Sequence, residues 1–332
     1  MNAIAEDDSV IGASARLSRR IGPSAAYAIF TVAAVVSFLP SVVTMAKLWA
    51  GSSSFHHGFL IAPIVIALIR YRGADVERRA SWPALALVAA FAALWLVGRA
   101  MSANLVEEIA FVGILIAGTA VAFGFAWAKA HAFPLLLLFL MVPAGVSLNP
   151  ALQQIAATGA MALLSAAGVD ASIDGFVIST AAGRFEVAEG CSGLNFLLAS
   201  LLIASVYAFL SMRSWRRRAM FVALGIVLAL IANVLRVFLV IALATWSNGE
   251  IEIAADHLLF GWFLYGALLF GFILAGHRFA DLDAPEHRAR QPSMHAFDPR
   301  PLAAAIALLG TAALADQMLP QDVVPETARA DD

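Results

Sequence analysis

The stretch AMFVALGIVLALIANVLRVFLVIALATW, residues 219–246, decides the fold of this chain. It is apolar almost throughout and exceeds the roughly 20 residues that a helix needs to cross a bilayer, so it predicts a membrane-spanning helix. Its single charged residue is Arg236. A charge inside a membrane costs at least about 2.5–3.5 kcal/mol unless it faces a wet cavity or a partner, which makes Arg236 a candidate for function. The alternative is a structural ion pair with Glu189 or Asp256.

The rest of the chain has the same apolar character. It is 61% hydrophobic and 13% charged, whereas soluble domains carry about 25% charged residues. We interpret the first apolar stretch as a retained span, because it is long for a signal peptide and lacks a clear cleavage site. The sequence therefore predicts an all-α polytopic membrane protein of about nine transmembrane helices, at residues 25–47, 57–69, 82–98, 105–128, 131–148, 193–211, 219–246, 257–276 and 301–317.

The Ala-rich segment 151–168 is too weak to rank with these spans. We expect it to lie at the membrane interface or to be re-entrant. If it crossed the membrane, everything after it would be inverted, and the distribution of charge in the loops argues against that.

The positive charges give the expected orientation. In the nine-span arrangement most Lys and Arg residues fall on one side, and Arg99, Arg184 and Arg329, with Lys47 at a helix end, fall on the other. Because cytoplasmic loops are enriched in Lys and Arg, the basic side is predicted to be cytoplasmic. We expect a cytoplasmic N-terminal tail (1–24), a multi-span domain (25–277), a cytoplasmic linker (278–300), a final transmembrane helix (301–317) and an outer C-terminal tail (318–332).

The longest outer loop, residues 149–190, leads into the one cysteine of the chain. Residues 176–180 and 184–188 predict two short strands around a glycine-containing turn. The sequence therefore predicts, in addition to the helices, a small outer-side β-hairpin immediately before Cys191.

Cys191 lies in the run Glu189-Gly190-Cys191-Ser192-Gly193, just ahead of an apolar helix. As the single cysteine it excludes an internal disulfide and any multi-cysteine metal site. A lone cysteine is often a small inert hydrophobe. A helix N-terminus, however, favours a thiolate and presents backbone N–H groups that can act as an oxyanion hole, so Cys191 is a candidate nucleophile.

Two residues of the following spans complete the candidate site. Asn233 lies three residues before Arg236 on the same helix face, where it can orient the arginine, bind a substrate carbonyl or serve as an ordinary interhelical hydrogen-bond residue. His257 opens the next span and can exchange protons with a thiol or a leaving amine, or can cap the helix at the interface. The charge distribution places Cys191, Arg236 and His257 on the outer side, which favours a thiol-based acyl-transfer site.

Metal, cofactor and nucleic-acid binding are not expected. His56 and His57 are adjacent and would point in different directions on a helix, and the further ligands and spacing of a zinc site are missing. The net charge of −2 comes without a basic arm of the kind that binds nucleic acid.

At these residues the chain resembles the exosortase/archaeosortase family of membrane cysteine enzymes. The resemblance rests on Glu189-Gly190-Cys191-Ser192-Gly193, on Asn233-Val234-Leu235-Arg236, on His257 with Gly261, and on His57-Gly58. It covers roughly residues 27–277. Three motifs in this order and on one side of the membrane are more specific together than each is alone.

The resemblance implies a protease or transpeptidase in the cytoplasmic membrane with its active site on the outer, periplasmic side. Its partners would be exported proteins whose C-terminal tail has a Pro-containing motif, a transmembrane helix and a basic cluster, the lipid bilayer, and an amine or glycan acceptor. The resemblance implies that Cys191 is the nucleophile, that Arg236 stabilises the oxyanion or positions the substrate, and that His257 is the general acid and base. Supporting roles fall to Glu189, Ser192, Gly193, Asn233 and His57.

Two other classes of function stay open at this point. A transporter or scaffold would use Arg236 as a pathway or structural residue, although the broken-helix pairs and inverted repeats of many transporters are not evident. A membrane glycan transferase or ligase would fit an arginine and a histidine on the outer side, but it would need carboxylates or a metal motif that the outer loops do not show.

Overall fold

The computed structural model of the protein describes residues 22–72, 76–247, 253–281 and 297–319, without the side chains of Arg72 and of residues 253–260. The chain forms two compact units. The first unit contains Met1–Gly51, Gly58–Val142 and His287–Asp332, and the second contains Ser52–His57 and Pro143–Glu286. Each unit is described by itself.

Helix α5 (Asn104–Phe123) is the centre of the first unit. Fifteen of its 20 residues are buried, and α1 (Pro23–Ser37), α4 (Leu85–Ala100) and α12 (Arg300–Gln317) pack around it. The helices of this unit are α1 (Pro23–Ser37), α2 (Leu39–Gly51), α3 (Gly58–Arg72), α4 (Leu85–Ala100), α5 (Asn104–Phe123), α6 (Phe125–Ala130), α7 (Ala132–Leu136), which continues as the 3-10 turn Leu137–Met141, and α12 (Arg300–Gln317).

A partly buried polar network joins four helices of the first unit. Ser41 Oγ on α2 donates a hydrogen bond to Glu107 Oε2 on α5 over 2.8 Å, and Trp95 Nε1 on α4 donates to Ser41 Oγ over 2.8 Å. Arg99 Nη1 lies 3.7 Å from Glu107 Oε1, and its Nε donates to Asp316 Oδ1 on α12 over 2.9 Å. These contacts connect α2, α4, α5 and α12, although Glu107 Oε1 is buried without a hydrogen-bond partner.

The second unit carries the segment of interest, and its longest helix is the one that the opening sequence stretch predicts. Its elements are the 3-10 turn Val146–Leu148, α8 (Asn149–Ala166), β1 (Ala171–Asp174), β2 (Val177–Thr180), β3 (Gly183–Glu186), the 3-10 turn Glu189–Cys191, α9 (Leu194–Ser211), α10 (Trp215–Trp246) and α11 (Ile253–His277).

The predicted hairpin is confirmed, and a third strand extends it. β2 and β3 pair antiparallel with Thr180 opposite Gly183, and β1 pairs antiparallel with β2. Ile178 on the central strand is fully buried. Sequence analysis missed β1, because three of its four residues are exposed and the strand shows little hydrophobic signal.

Helix α8 occupies the segment 151–168 that the sequence left open. Its small residues Ala156, Ala157 and Ala160 are buried in a core cluster with Val237 and Ile241 of α10. Small side chains let the two helices approach closely, as small residues do in membrane helix packing. A Cβ on Gly159 would lie 2.8 Å from a methyl carbon of Val234.

The nine predicted spans are confirmed only in part. Among the described residues, three helical segments are long and apolar enough to cross a membrane: Asn104–Phe123, Glu189–Ser211 and Trp215–Trp246. The number rises to five if each of two broken helix pairs is counted as one span. Shorter apolar helices cover Gly58–Tyr71, Leu85–Ala100 and Gly261–His277.

Two of the predicted spans, 25–47 and 131–148, are each broken into separate helical segments. Residues 25–47 form α1 and α2, which meet at an angle of 87° next to Phe38. Residues 131–148 break after Met141, where Pro143 lacks a backbone donor and Gly145 adopts φ +107°, a conformation that favours glycine. Hydropathy reports how apolar a segment is and does not detect such breaks.

Candidate active site around Cys191

Cys191 ends a single 3-10 turn at the entrance to α9. Its N–H donates to Ala188 O over 2.8 Å, and the N–H of Ser192 donates to Glu189 O over 3.1 Å. Gly193 then caps α9 with φ +92°, so the chain turns sharply before the helix begins. This geometry leaves the thiol half-buried while Glu189 and Gly190 are exposed.

Arg236 on α10 contacts this thiol. Its Nη2 lies 3.7 Å from Cys191 Sγ, although the two residues are 45 positions apart. The arginine is only 6% exposed, and its guanidinium carbon lies 5.6 Å from the centre of the Phe196 ring on α9. The ring provides a cation–π surface for a charge that has little access to water.

Gly261 on α11 closes the other side of the arginine. A Cβ at this position would lie 2.7 Å from Arg236 Nε, which is closer than real side chains come. Glycine therefore lets α11 pack directly on the guanidinium. Tyr265, one turn later, stacks on Phe196 with ring centres 4.4 Å apart and its hydroxyl 2.9 Å from Ser200 Oγ.

Asn233 on α10 binds the backbone of the turn that carries Cys191. Its Nδ2 donates to Cys191 O over 3.0 Å and to Ser192 O over 2.9 Å. This pairing also fixes the orientation of the amide, because an oxygen in the place of Nδ2 would face two carbonyl oxygens. Asn233 Oδ1 is buried without a hydrogen-bond partner. A Cβ on Gly193 would lie 2.6 Å from Asn233 Cγ, so the glycine is required for this contact as well.

Two residues that sequence analysis missed hold the same segment from α8. Ser192 Oγ donates to Asn149 Oδ1 over 2.9 Å, and Gln153 Nε2 donates to Val187 O over 2.7 Å. Asn149 and Gln153 are buried and lie one helical turn apart. Their polar spacing on an otherwise Ala-rich helix was the available signal, since buried polar groups need partners.

His257 lies on the described backbone of α11. Its side chain, like that of Asp256, is outside the described residues. On a helix, residues 257 and 261 lie one turn apart on the same face. His257 therefore belongs to the face of α11 on which Gly261 contacts Arg236.

Glu189 and His57, the other two predicted residues of the site, lie in different segments of the second unit. Glu189 is exposed, and in the described part of the chain Arg236 forms no ion pair with it or with another carboxylate. His57 is half-buried in the segment Ser52–His57, which belongs to the second unit. That segment is tied to the first turn of α9, because Ser54 Oγ donates to Asn195 Oδ1 and Asn195 Nδ2 donates to Ser53 Oγ.

The arrangement suits thiol chemistry that develops negative charge. The N–H groups of Cys191 and Ser192 are engaged within their own turn, so the positive group in contact with the sulfur is the guanidinium. In the part of the chain that the structure describes, no cluster of three or more His, Cys, Asp or Glu side chains could hold a metal ion.

The helices and this site define a polytopic membrane protein with a thiol and a guanidinium in contact. The chain matches the model of the transmembrane exosortase family over residues 49–274, about two thirds of its length, and it belongs to that family. The resemblance drawn from the motifs is thereby confirmed. The family is generally one of membrane cysteine peptidases and transpeptidases that act on exported proteins with C-terminal sorting signals. Neither the curated proteins nor the solved structures contain a match to this chain.

Proposed function

We propose that this chain cleaves the C-terminal sorting tails of exported proteins on the outer side of the cytoplasmic membrane, as a cysteine protease or transpeptidase. The observation that carries the proposal is the 3.7 Å contact between Arg236 Nη2 and Cys191 Sγ. Membership in the exosortase family supports the reaction class. The tail would have the Pro-containing motif, transmembrane helix and basic cluster that the resemblance implies.

Cys191 is the proposed nucleophile. Its sulfur is half-buried, and the neighbouring Gly190 is exposed, so a peptide backbone can approach from that side. A guanidinium in contact with the sulfur places a positive charge beside the nucleophile. The same guanidinium can donate to the carbonyl oxygen of the substrate when negative charge develops there.

His257 is the proposed general acid and base. This assignment rests on its place one turn before Gly261, on the face of α11 that contacts Arg236. An imidazole is the side chain best suited to exchange protons near neutral pH.

In the proposed reaction, His257 takes the thiol proton and Cys191 Sγ attacks the carbonyl carbon of the scissile peptide. Electrons of the C=O bond move to the oxygen, where Arg236 stabilises them. When the intermediate collapses, the C–N bond breaks and His257 returns the proton to the leaving amine. The tail helix departs with a new N-terminus. An acceptor amine or water then attacks the thioester carbon and gives its proton to His257. The C–S bond breaks, and His257 returns the proton to Cys191 Sγ.

Processing of a tagged sorting tail in cells tests the proposal. Wild-type enzyme should release the tail and change the mass of the tagged protein, and Cys191→Ser should abolish this while the enzyme stays inserted. Arg236→Lys keeps the charge but not the planar donors, so it should reduce the rate by about 100-fold or more. Normal processing by a stably inserted Cys191→Ala enzyme would overturn the proposal.

The proposed orientation has its own test, because Cys191 is the only cysteine of the chain. A thiol reagent that cannot cross membranes should label Cys191 in cells whose outer permeability barrier alone has been opened. Labelling that appears only after the cytoplasm is opened would place the site on the opposite side.

A transporter or scaffold with a structural Arg236 is the competing function. It predicts that a carboxylate neutralises the arginine. Of the two candidate partners, Glu189 is exposed and makes no ion pair with Arg236, and the side chain of Asp256 is outside the described residues. The described contacts of Arg236 are with the sulfur of Cys191 and the ring of Phe196. The competing function also predicts that Cys191→Ala has no effect on any sorting tail.

A further inference from the structure

A groove runs along the outside of α10 and α11 in the half of the second unit that lies away from Cys191. Its volume is about 400 Å³, which falls in the range of small-ligand sites. Its principal lining residues are Met220, Leu224, Val227 and Ile231 on α10 and Phe272 and Gly276 on α11. We propose that this groove binds one anionic phospholipid, with an acyl chain along α10 and the phosphate at the arginine-rich start of that helix.

The apolar part of the groove fits an acyl chain. The four α10 residues recur every three or four positions and form one continuous stripe, and each of them is about half exposed. The floor is formed by Phe221, which stacks on Phe272 with ring centres 4.3 Å apart. A Cβ on Gly276 would lie 2.4 Å from a ring carbon of Phe221, so the glycine lets this ring pack directly against α11.

The end of the groove near the start of α10 has the charge that a phosphate requires. Arg217 lines it, and Arg213 and Arg216, which are near it in the sequence, are exposed. The first N–H groups of an α-helix have no partner within the helix and favour anions. Ser214, the N-cap residue, makes no side-chain hydrogen bond to them. Trp215 is 74% exposed, as aromatic residues are where lipid headgroups meet water.

Asp281 orients this charged end without neutralising it. Its Oδ1 accepts from Arg217 Nη1 over 2.7 Å, and its Oδ2 accepts from the N–H of Arg213 over 2.8 Å. That N–H bond, more than the nearby charge of Arg217, holds the pKa of Asp281 below its usual range, so the carboxylate is ionised at neutral pH. Among the described residues, Arg213, Arg216 and Arg217 are exposed at the start of α10, and Asp281 is the carboxylate that contacts Arg213 and Arg217, so the described positive charges outnumber the negative one.

The arginines at the start of α10 favour an anionic lipid over the proposed sorting tail as the occupant of the groove. A tail helix would also be apolar, but it ends in a basic cluster that the arginines would repel. Basic pockets between membrane helices on the cytoplasmic side attract anionic headgroups, and each Lys or Arg near the surface strengthens binding by about fivefold. The groove is remote from the thiol chemistry, so this inference does not depend on the proposed function.

Native mass spectrometry of the full-length protein in detergent tests the inference. Phosphatidylglycerol and phosphatidylcholine with the same acyl chains serve as probes. Wild-type protein should retain one phosphatidylglycerol in clear preference to phosphatidylcholine, and Arg217→Gln should reduce this preference by about fivefold. Leu224→Trp should fill the groove and abolish retention. Leu274→Trp is the matched control, because Leu274 is similarly exposed at 56% against 51% but does not line the groove.

Each result supports or overturns the inference. Equal retention of the two lipids by wild-type protein would show an unselective lipid-facing surface and overturn it. Equal loss in Leu224→Trp and Leu274→Trp would do the same. A sorting-tail peptide that displaces phosphatidylglycerol, and whose own binding is lost in Leu224→Trp alone, would assign the groove to the tail instead. If Leu224→Trp does not give a monodisperse protein, Met220→Trp, at a position 56% exposed, fills the same groove.

Discussion

Gly261 packs against Arg236 so closely that a single added carbon would lie 2.7 Å from the arginine Nε. The guanidinium is thus held between the backbone of α11 and the ring of Phe196. A charge held in this way has little freedom to move away from Cys191 Sγ. The position of the arginine depends on a glycine 25 residues later as much as on its own helix.

Gly261→Ala should therefore impair the site without removing any functional side chain. The added methyl displaces the guanidinium, and a shift of about 1 Å in a catalytic group can cost about 100-fold in rate. Tail processing and the rate of Cys191 alkylation should both fall. Gly266→Ala on the same helix is the control, because a Cβ there meets nothing within 4 Å. Equal effects of the two substitutions would show that Arg236 is not held by Gly261.

The two glycines that flank the cysteine should respond differently to alanine. Gly193 has φ +92° and would bring its Cβ to 2.6 Å from Asn233 Cγ, whereas a Cβ on Gly190 meets nothing within 4 Å. Gly193→Ala should lower stability by at least about 1–3 kcal/mol, because strain and a clash coincide. Gly190→Ala should have the thermal stability of wild type. Thermal unfolding of the purified proteins measures the difference, and matching curves would contradict the geometry of the turn.

Asn233→Asp should be more harmful than Asn233→Ala. The alanine variant leaves the carbonyls of Cys191 and Ser192 unpaired, which costs about 1–3 kcal/mol for each buried group. The aspartate variant also turns an oxygen toward those two carbonyls. Thermal unfolding and Cys191 alkylation should rank the proteins as wild type, Asn233→Ala, Asn233→Asp. An aspartate variant that behaves like wild type would show that the amide does not donate to these carbonyls.

Gln153 and Gln154, which are adjacent on α8, provide a test variant and its matched control. Gln153 is buried and donates to Val187 O over 2.7 Å, whereas Gln154 is exposed and bonds only within its own helix, to Thr158. Gln153→Ala should loosen the segment that carries Cys191 and slow tail processing, mainly through the catalytic rate. Gln154→Ala should leave processing unchanged. Hydrogen exchange of residues 187–192 reports the loosening directly, and unchanged exchange in Gln153→Ala would rule out this anchor.

The sequence could predict those site residues whose chemical type is unusual for their position in a helix. Asn233 and Arg236 lie on one helix face by periodicity, and the burial of an arginine in an apolar span identified it at once. The contact with Cys191 could not be derived from spacing, because it depends on how α9 and α10 pack. The resemblance to a family supplied that link.

Residues 149–166 show why sequence analysis missed the contribution of α8 to the site. Their helix packs through Ala156, Ala157 and Ala160, which add little to hydropathy although they allow close contact with α10. Asn149 and Gln153 lower the hydropathy further, yet they are the residues that hold the cysteine segment. Sequence analysis therefore left this helix out of the predicted spans, although it anchors the candidate site.

The irregular backbone that carries Cys191 has a consequence for how the proposed thioester is resolved. Non-helical backbone at membrane depth persists only where protein covers it or water reaches it, and Glu189 and Gly190 are exposed. A thioester on Cys191 would thus be formed at a place open to solvent. Transfer and hydrolysis then compete kinetically, and the outcome depends on how long the acceptor amine stays beside the sulfur rather than on exclusion of water.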